Sequence, residues 1–267
     1  METTVNNDWR KLTAVLYRKP QDSKVFGSVE FDVTELEEFI SVRRQNGLKL
    51  TMTHIFVLAF ARGLKEAAPE INCFVRRGKI IQRGSVDVSL SVLVKGGNLS
   101  SVKVVGAENF TLEDLCVFLQ QSILNVRQGQ DDKIKKTVTQ LVSIPWPLRQ
   151  WVADFVKWLS IDWGVPLPFL GVSPDSFGSL VYSNIGTMGL DVGYPALAPF
   201  SNVSMVISQG AASSKAVVVN GQIVPRRMIT ISAALDHRVV DGSQIGNLFY
   251  YVRNLIKNPE LLEQKVL

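Results

Sequence analysis

The stretch that most restricts what this chain can become is "MITISAALDHRVVDGSQIGNLFYYVRNLI", residues 228–256. "MITISAAL" reads as a strand, and it delivers the chain directly into Asp236 and His237. After Gly242, the residues Ile245, Leu248, Phe249, Val252, Leu255 and Ile256 fall on one face of a helix that halts at Asn258-Pro259. A strand that ends in histidine and turns tightly through glycine into a helix presents an imidazole at a sheet edge. Active sites are commonly built there.

The other segments supply partners for this unit. Thr34 opens a helical stretch with Leu36, Phe39 and Ile40 on one face, ending near Gly47. A second helix begins near Thr53, runs through "HIFVLAFARGLKEAA" and stops before Pro69; being apolar almost all round, it belongs in the interior. "GKIIQRGSVDVSLSVLV" reads as strand, turn and strand, with Val86, Val88, Leu90 and Val92 alternating. Thr111, with Asp114 three residues later, starts a helix that keeps Leu112, Leu115, Cys116, Leu119 and Ile123 in phase. "SLVYSN" is a short strand, and "KAVVVNGQIV" is a hairpin turning at Asn220-Gly221. Helices and strands alternate, with hairpins among them. The expected fold class is α/β, one domain over residues 1–267 around a mixed sheet.

Composition narrows the function. The net charge is +5, but no Lys/Arg run exceeds two residues and aromatics do not interleave with the basic positions, which argues against nucleic acid. A diffuse basic balance suits an anionic small molecule or an acidic partner protein. Cys73 and Cys116 show neither CxxC nor metal-ligand spacing, which suits a reducing cytosol. "METTVNNDWRK" has no apolar core of a signal peptide, and no stretch approaches 18 uninterrupted apolar residues, so the expected location is cytoplasmic.

The plain reading of "DHRVVDG" is a satisfied histidine at a strand end, with Asp241 and Ser243 capping the next helix. The chemical reading is a base, since imidazole is the side chain that removes a proton near pH 7. No G-x-S-x-G elbow accompanies it. His54, the second histidine, lies mid-helix among apolar residues and reads as core, so no metal site is expected. A base without a protein nucleophile suggests that the substrate brings the nucleophile, for example a thiol attacking a thioester. Such a reaction needs a donor aimed at the oxyanion, and a hydroxyl serves.

"ISAALDHRVVDGSQIGNLFYYVRNLIKNPELL" resembles the end of the catalytic domain of the 2-oxoacid dehydrogenase acyltransferases, the E2 components, which share a fold with chloramphenicol acetyltransferase. Upstream, "SLVYSNIGTMGLDVGYPALAPFSNVSMVISQG", "VDVSLSVLVKGGNLSSVKVVGAENFTLEDL" and "FDVTELEEFISVRRQNGLKLTMTHIFVLAFARGLKEAAPEIN" follow that family's order. The resemblance implies a two-layer domain of the chloramphenicol acetyltransferase type, its mixed sheet packed against helices. It implies His237 as the base that activates the thiol of coenzyme A or dihydrolipoamide, and Ser183 as the oxyanion donor. Asp241 would brace the site through an arginine, with Arg10 the candidate, and Asn184 and Gly242 would support it. Lys95, Lys103 and Arg226, with Lys215 and Arg227, are candidates for coenzyme A phosphates. The family's site lies between subunits of a trimer, so Ser183 and His237 would come from different chains. The implied partners are a homotrimer and a lipoylated carrier protein or dehydrogenase subunits.

Two departures stand out. The match begins within the first dozen residues with no linker composition, so the expectation is a stand-alone domain that works in trans on another lipoylated protein or serves a hydroxyl acceptor. The competing class is a non-catalytic trimeric assembly protein. Residues 141–175 form a Trp/Pro-rich insertion holding four of the five tryptophans. Leu148, Trp151, Val152, Phe155 and Trp158 make a helical stripe there, and the Pro-rich stretch after Gly164 cannot continue it. Packing on the domain's own core is the first expectation. A membrane is less favoured, because the polar side has only Arg149 and Lys157 as cations, offset by Asp154 and Asp162. The third reading makes Trp151, Phe155 and Trp158 an acyl pocket, because the insertion leads into the Ser183 strand.

Overall fold

A computed structural model describes residues 24–93, 99–127, 141–197 and 200–265. Its centre is β9 (Gln222–Asp236), a 15-residue strand whose last nine residues are all buried. The two strands read from "KAVVVNGQIV" and "MITISAAL" are thus continuous from Gln222 onward. β1 (Lys24–Asp32) runs antiparallel along one flank of β9, from Lys24 opposite Asp236 to Asp32 opposite Met228. The other flank holds β7 (Met205–Gln209) and then β8 (Ser213–Val219), both antiparallel to β9. Asn220 and Gly221, at φ of 51° and 80°, supply the positive angles of the tight β8–β9 turn, as expected.

From β7 the sheet continues through β6 (Leu180–Asn184) and β4 (Val88–Leu93), each pair parallel, to the antiparallel edge strand β5 (Leu99–Val104). The sheet is therefore mixed, in the order β1-β9-β7-β6-β4-β5 with β8 on β9. β3 (Lys79–Gln82) does not pair with β4; it forms a separate two-stranded hairpin with β2 (Cys73–Arg76). β1, β2, β5 and β7 escaped the sequence reading.

Helices cover one face. α1 (Thr34–Gln45) and α2 (Met52–Glu66) follow β1, α3 (Leu112–Arg127) follows β5, and α5 (Gly242–Lys257) follows β9. Between them lies α4 (Leu148–Lys157), in the insertion. α2 is the buried one: Ile55 to Leu64 are all shielded. It lies so close to α5 that a Cβ on Gly63 would come within 2.6 Å of a Leu248 methyl. Phe60 touches Phe56, Phe249 and Tyr182, joining both helices to β6. Arg62 is buried too, and its guanidinium donates to the carbonyls of Phe110, Leu261, Leu262 and Gln264. One cation thereby satisfies the chain end that packs beneath α2.

His54 stands in the first turn of α2 rather than mid-helix, because the helix starts at Met52. Its Nδ1 accepts the Thr51 backbone N–H at 3.2 Å, half of a capping box. Burial, followed by the Arg44 charge, lowers its pKa from 6.5 to about 4. It is a neutral structural acceptor.

Two predictions follow from this packing. Phe60→Ala should cost about 3–5 kcal/mol in urea unfolding. Tyr250→Ala, at a side chain 79% exposed on α5, should change stability by no more than about 0.5 kcal/mol. The unfolded His54 takes up its proton near pH 6.5 and the folded one only near pH 4. Its contribution to stability is thus full above pH 6.5 and lost as pH falls toward 4. The stability difference between wild type and His54→Asn, measured across that window, should shrink as pH falls; a constant difference would contradict the assignment.

Candidate active site

Asp236 ends β9 and anchors everything that follows. Its backbone N–H donates to the Ser204 carbonyl at 2.9 Å, fixing the strand end to the start of β7. Its carbonyl accepts from Val239 and Val240 at 3.0 and 3.1 Å, which closes the turn. Its buried carboxylate accepts the Arg238 backbone N–H at 3.1 Å and the Arg238 guanidinium as a fork, at 2.9 Å from Nε to Oδ1 and 2.6 Å from Nη2 to Oδ2. These bonds hold Arg238 more firmly protonated than an ordinary arginine, with Asp162 of the insertion adding to the effect. Asp236 and Arg238 were missed at the sequence level, although an aspartate two residues before an arginine at a strand end is a readable turn signal.

His237 is carried outward on this turn, its side chain 50% exposed. Its Nδ1 lies 3.4 Å from Asp241 Oδ1, which points that nitrogen at the carboxylate and leaves Nε2 as the outward one. Asp241 is also the N-cap of α5: its carboxylate accepts the Gln244 backbone N–H, and the Gln244 side chain accepts from Asp241 N–H at 2.9 Å. Asp241 therefore caps α5, and its carboxylate also lies beside the imidazole, a contact the sequence reading did not expect. Gly242 is the first residue of α5, and a Cβ there would meet nothing within 4 Å of its own chain.

Ser183 lies on β6, level with Ser208 of β7 and, through it, with Ser232 of β9. Asn184 donates to Thr53 Oγ1 at 2.8 Å, tying the strand end to the first turn of α2. Thr53 donates to Gln209 Oε1 at 3.3 Å, which also accepts the fully buried Tyr182 hydroxyl at 2.7 Å. The strand segment around Ser183 is thus pinned by two neighbours, Thr53 and Gln209, which are bonded to each other. Ser183 and His237, however, do not meet. Ser232 is four residues before Asp236, so the level of Ser183 lies roughly 13 Å from the strand end that carries His237, at the usual rise per residue.

The other candidates are placed as follows. Lys103 pairs with Asp87 at 3.1 Å and donates to the Asp175 carbonyl at 2.8 Å. Arg226 lies 3.4 Å from Asp32, Arg227 forks onto Glu37, and Lys215 pairs with Glu30. Each of these cations is already matched by a carboxylate. Arg10 and Lys95 lie outside the described residues. Cys73 and Cys116 are free and buried, and burial pushes both thiols up, Cys116 to about 11, so neither is an activated nucleophile. Trp151, Phe155 and Trp158 are exposed. The insertion that holds them enters β6 at Leu180, level with Met205 and Leu235, which is the His237 end of the sheet and not the Ser183 end.

Residues 176–263 match the family of 2-oxoacid dehydrogenases acyltransferase (catalytic domain). The chain is 22% identical over 264 residues to the dihydrolipoyllysine-residue acetyltransferase component of the pyruvate dehydrogenase complex of Rickettsia prowazekii, covering 96% of this chain and 54% of that protein. It thus spans about half the length of this curated relative. Among solved structures it resembles the dihydrolipoamide acetyltransferase of Azotobacter vinelandii, with a TM-score of 0.66 at 18% identity over 95% of this chain and 88% of the other. That structure was solved to investigate a serine, a histidine and an asparagine in the catalytic mechanism. A chloramphenicol acetyltransferase aligns with a TM-score of 0.51 at 12% identity, over 93% and 94% of the two chains. The strand, turn and helix that present His237 thus lie within the segment that matches the 2-oxoacid dehydrogenases acyltransferase catalytic domain, and the chain carries the α/β fold of the solved dihydrolipoamide acetyltransferase and chloramphenicol acetyltransferase.

Proposed function

We propose that this protein is an acyltransferase that moves an acyl group between a coenzyme A thioester and a thiol, such as dihydrolipoamide on another protein, or a hydroxyl acceptor. The observation that carries the reading is the presentation of His237: an exposed imidazole on a turn locked by Asp236, with one nitrogen directed at Asp241 and the other facing out. Nε2 takes the proton from the attacking thiol or alcohol. The new bond forms at the thioester carbonyl carbon as its oxygen gains charge, and the Ser183 hydroxyl donates to that oxygen. The carbon–sulfur bond then breaks, and the leaving thiolate recovers the proton from the imidazolium. In the Azotobacter protein the asparagine under study follows the histidine by four positions, the spacing at which Asp241 follows His237 here.

The separation of the two groups adds a condition. A hydroxyl and an imidazole roughly 13 Å apart along one sheet cannot act on one carbonyl. The family resemblance supplies the condition: the proposed site lies between chains, Ser183 from one and His237 from the next, in a closed homotrimer. Ring closure by a heterologous contact repeats the site once per interface. Because Lys103, Arg226, Arg227 and Lys215 already face carboxylates, the reading rests on the thioester chemistry and not on these residues as a phosphate cradle.

Acyl transfer from acyl-CoA to a panel of thiols and alcohols tests this. His237→Ala should lower turnover by 10²–10⁴-fold, and Ser183→Ala should lower kcat on the order of 10²-fold with little change in KM. Co-expressing the two variants should restore activity to about a quarter of wild type, because random rings pair an intact serine with an intact histidine at that frequency. Equal turnover of wild type and His237→Ala would overturn His237 as the base, and absence of transfer by the wild type would leave a trimeric assembly protein as the function.

A further inference from the structure

The helix α4 is turned inside out relative to an ordinary surface helix. Its large apolar side chains Leu148, Trp151, Val152 and Phe155 are exposed, Trp151 at 73% and Phe155 at 58%. The side toward the protein is mostly small or polar: Ala153 is buried, and Arg149, Gln150, Asp154 and Lys157 are partly shielded, with Val156 the one large apolar side chain among them. The expectation that this stripe packs on the domain's own core is therefore wrong. The apolar surface continues past the helix, with the Phe155 ring 5.9 Å from Trp158 and Trp158 5.4 Å from Trp163.

The stripe also has neighbours that are distant in sequence. The tip of the β2–β3 hairpin reaches the same surface: the Arg77 N–H donates to the Asp162 carbonyl at 3.0 Å, and its guanidinium sits 5.0 Å over the Trp163 ring. Arg76 lies against Gly164. Lys79 and Ile80 are exposed on the same tip, Ile80 at 62%. Of the insertion's acids, Asp154 accepts from Gln150 on the half-shielded side, and Asp162 is exposed beside Trp163, its backbone carbonyl held by the Arg77 N–H. An apolar, Trp-rich strip is thus bordered by the exposed cations Arg77 and Lys79, with Arg76 and Lys157 partly shielded beside it.

We infer that this face docks on an anionic lipid bilayer, with Trp151, Phe155, Trp158 and Ile80 entering the headgroup–acyl boundary and Arg77 and Lys79 meeting lipid phosphates. Charge complementarity selects this occupant, since aromatic side chains beside exposed cations are how proteins hold to the interface of an acidic membrane. An acyl chain of a soluble thioester needs a concave pocket, whereas this surface is the outward side of a helix. No helix among the described residues is long and apolar enough to cross a membrane, so the attachment is to one leaflet.

Flotation of the full chain with vesicles tests the inference, comparing phosphatidylcholine alone with phosphatidylcholine containing phosphatidylglycerol. Binding should require the anionic lipid, weaken with added salt, and shift tryptophan emission to the blue. Trp151→Ala should weaken it about tenfold, as for one lost buried aromatic, and Arg77→Glu or Lys79→Glu at least about fivefold. Both sets lie at exposed positions, and circular dichroism should be unchanged. Absence of binding to anionic vesicles overturns the inference. So does a Trp151→Ala/Phe155→Ala variant that still binds them, or that loses oligomeric mass in light scattering, which would make the face a contact between copies. A loss confined to the preference for long-chain acyl-CoA, with vesicle binding intact, would overturn it in favour of an acyl pocket.

Discussion

The pairing of β9 on both flanks is the constraint from which the rest of this structure follows. β1 covers nine of its residues on one side, while β7 and β8 share the other. A strand so enclosed cannot slip by one residue without turning Ile229, Ile231 and Ala233 away from the helices. Its end is fixed as firmly as its register, because Asp236 bonds to Ser204, Arg238, Val239 and Val240. His237 is thus the first residue beyond a rigid element, and its position is set before any ligand arrives. Groups that must meet a reacting atom are best held in this way.

The sheet face away from the helices is built from small polar residues. Ser28, Ser232, Ser208 and Ser183 stand in one row across four strands. Ser208 and Ser232 are buried, and the chain between β6 and β7 crosses nearby: a Cβ on Gly210 would lie 1.8 Å from the Asp191 carbonyl, and Ala211 donates to Leu190 at 2.9 Å. Small side chains on this face let that crossing segment lie flat. The same row fixes Ser183 far from the His237 end. One sheet therefore fixes Ser183 and the strand end that carries His237 with similar rigidity but at different levels.

Much of this was legible in the sequence. The apolar α2, the phase of α3 and α5, the Asn220-Gly221 turn and the exposure of a histidine after β9 all follow from local pattern and turn chemistry. What was not legible depends on contacts between distant segments. β7, "MVISQ", is too short to show alternation and is defined by its partners β6 and β9. β3 was read as leading into β4, but its register is with β2. Asp236 gives no sign in sequence that it will be buried beneath its own arginine. Among the described residues, the candidate phosphate cations Lys103, Arg226, Arg227 and Lys215 are matched by Asp87, Asp32, Glu37 and Glu30, which lie on other segments.

The insertion shows the same limit most sharply, because its periodicity was read correctly and its direction was not. A ten-residue helix is too short to persist in water by itself. α4 is held in place by its less apolar side. The Arg149 guanidinium donates to the carbonyls of Ile144 and Val142, Ala153 is buried, and the turn after the helix buries Ser160 and Ile161. Arg77 then ties Trp163 to the β2–β3 hairpin through its ring and carbonyl. Had the stripe been a segment that failed to reach the core, its polar side would have no such bonds. The protein instead uses polar and small groups to fix the helix and leaves the aromatic groups outward, on the same end of the sheet as His237. A face held so firmly with its apolar side exposed is explained by a partner outside the chain.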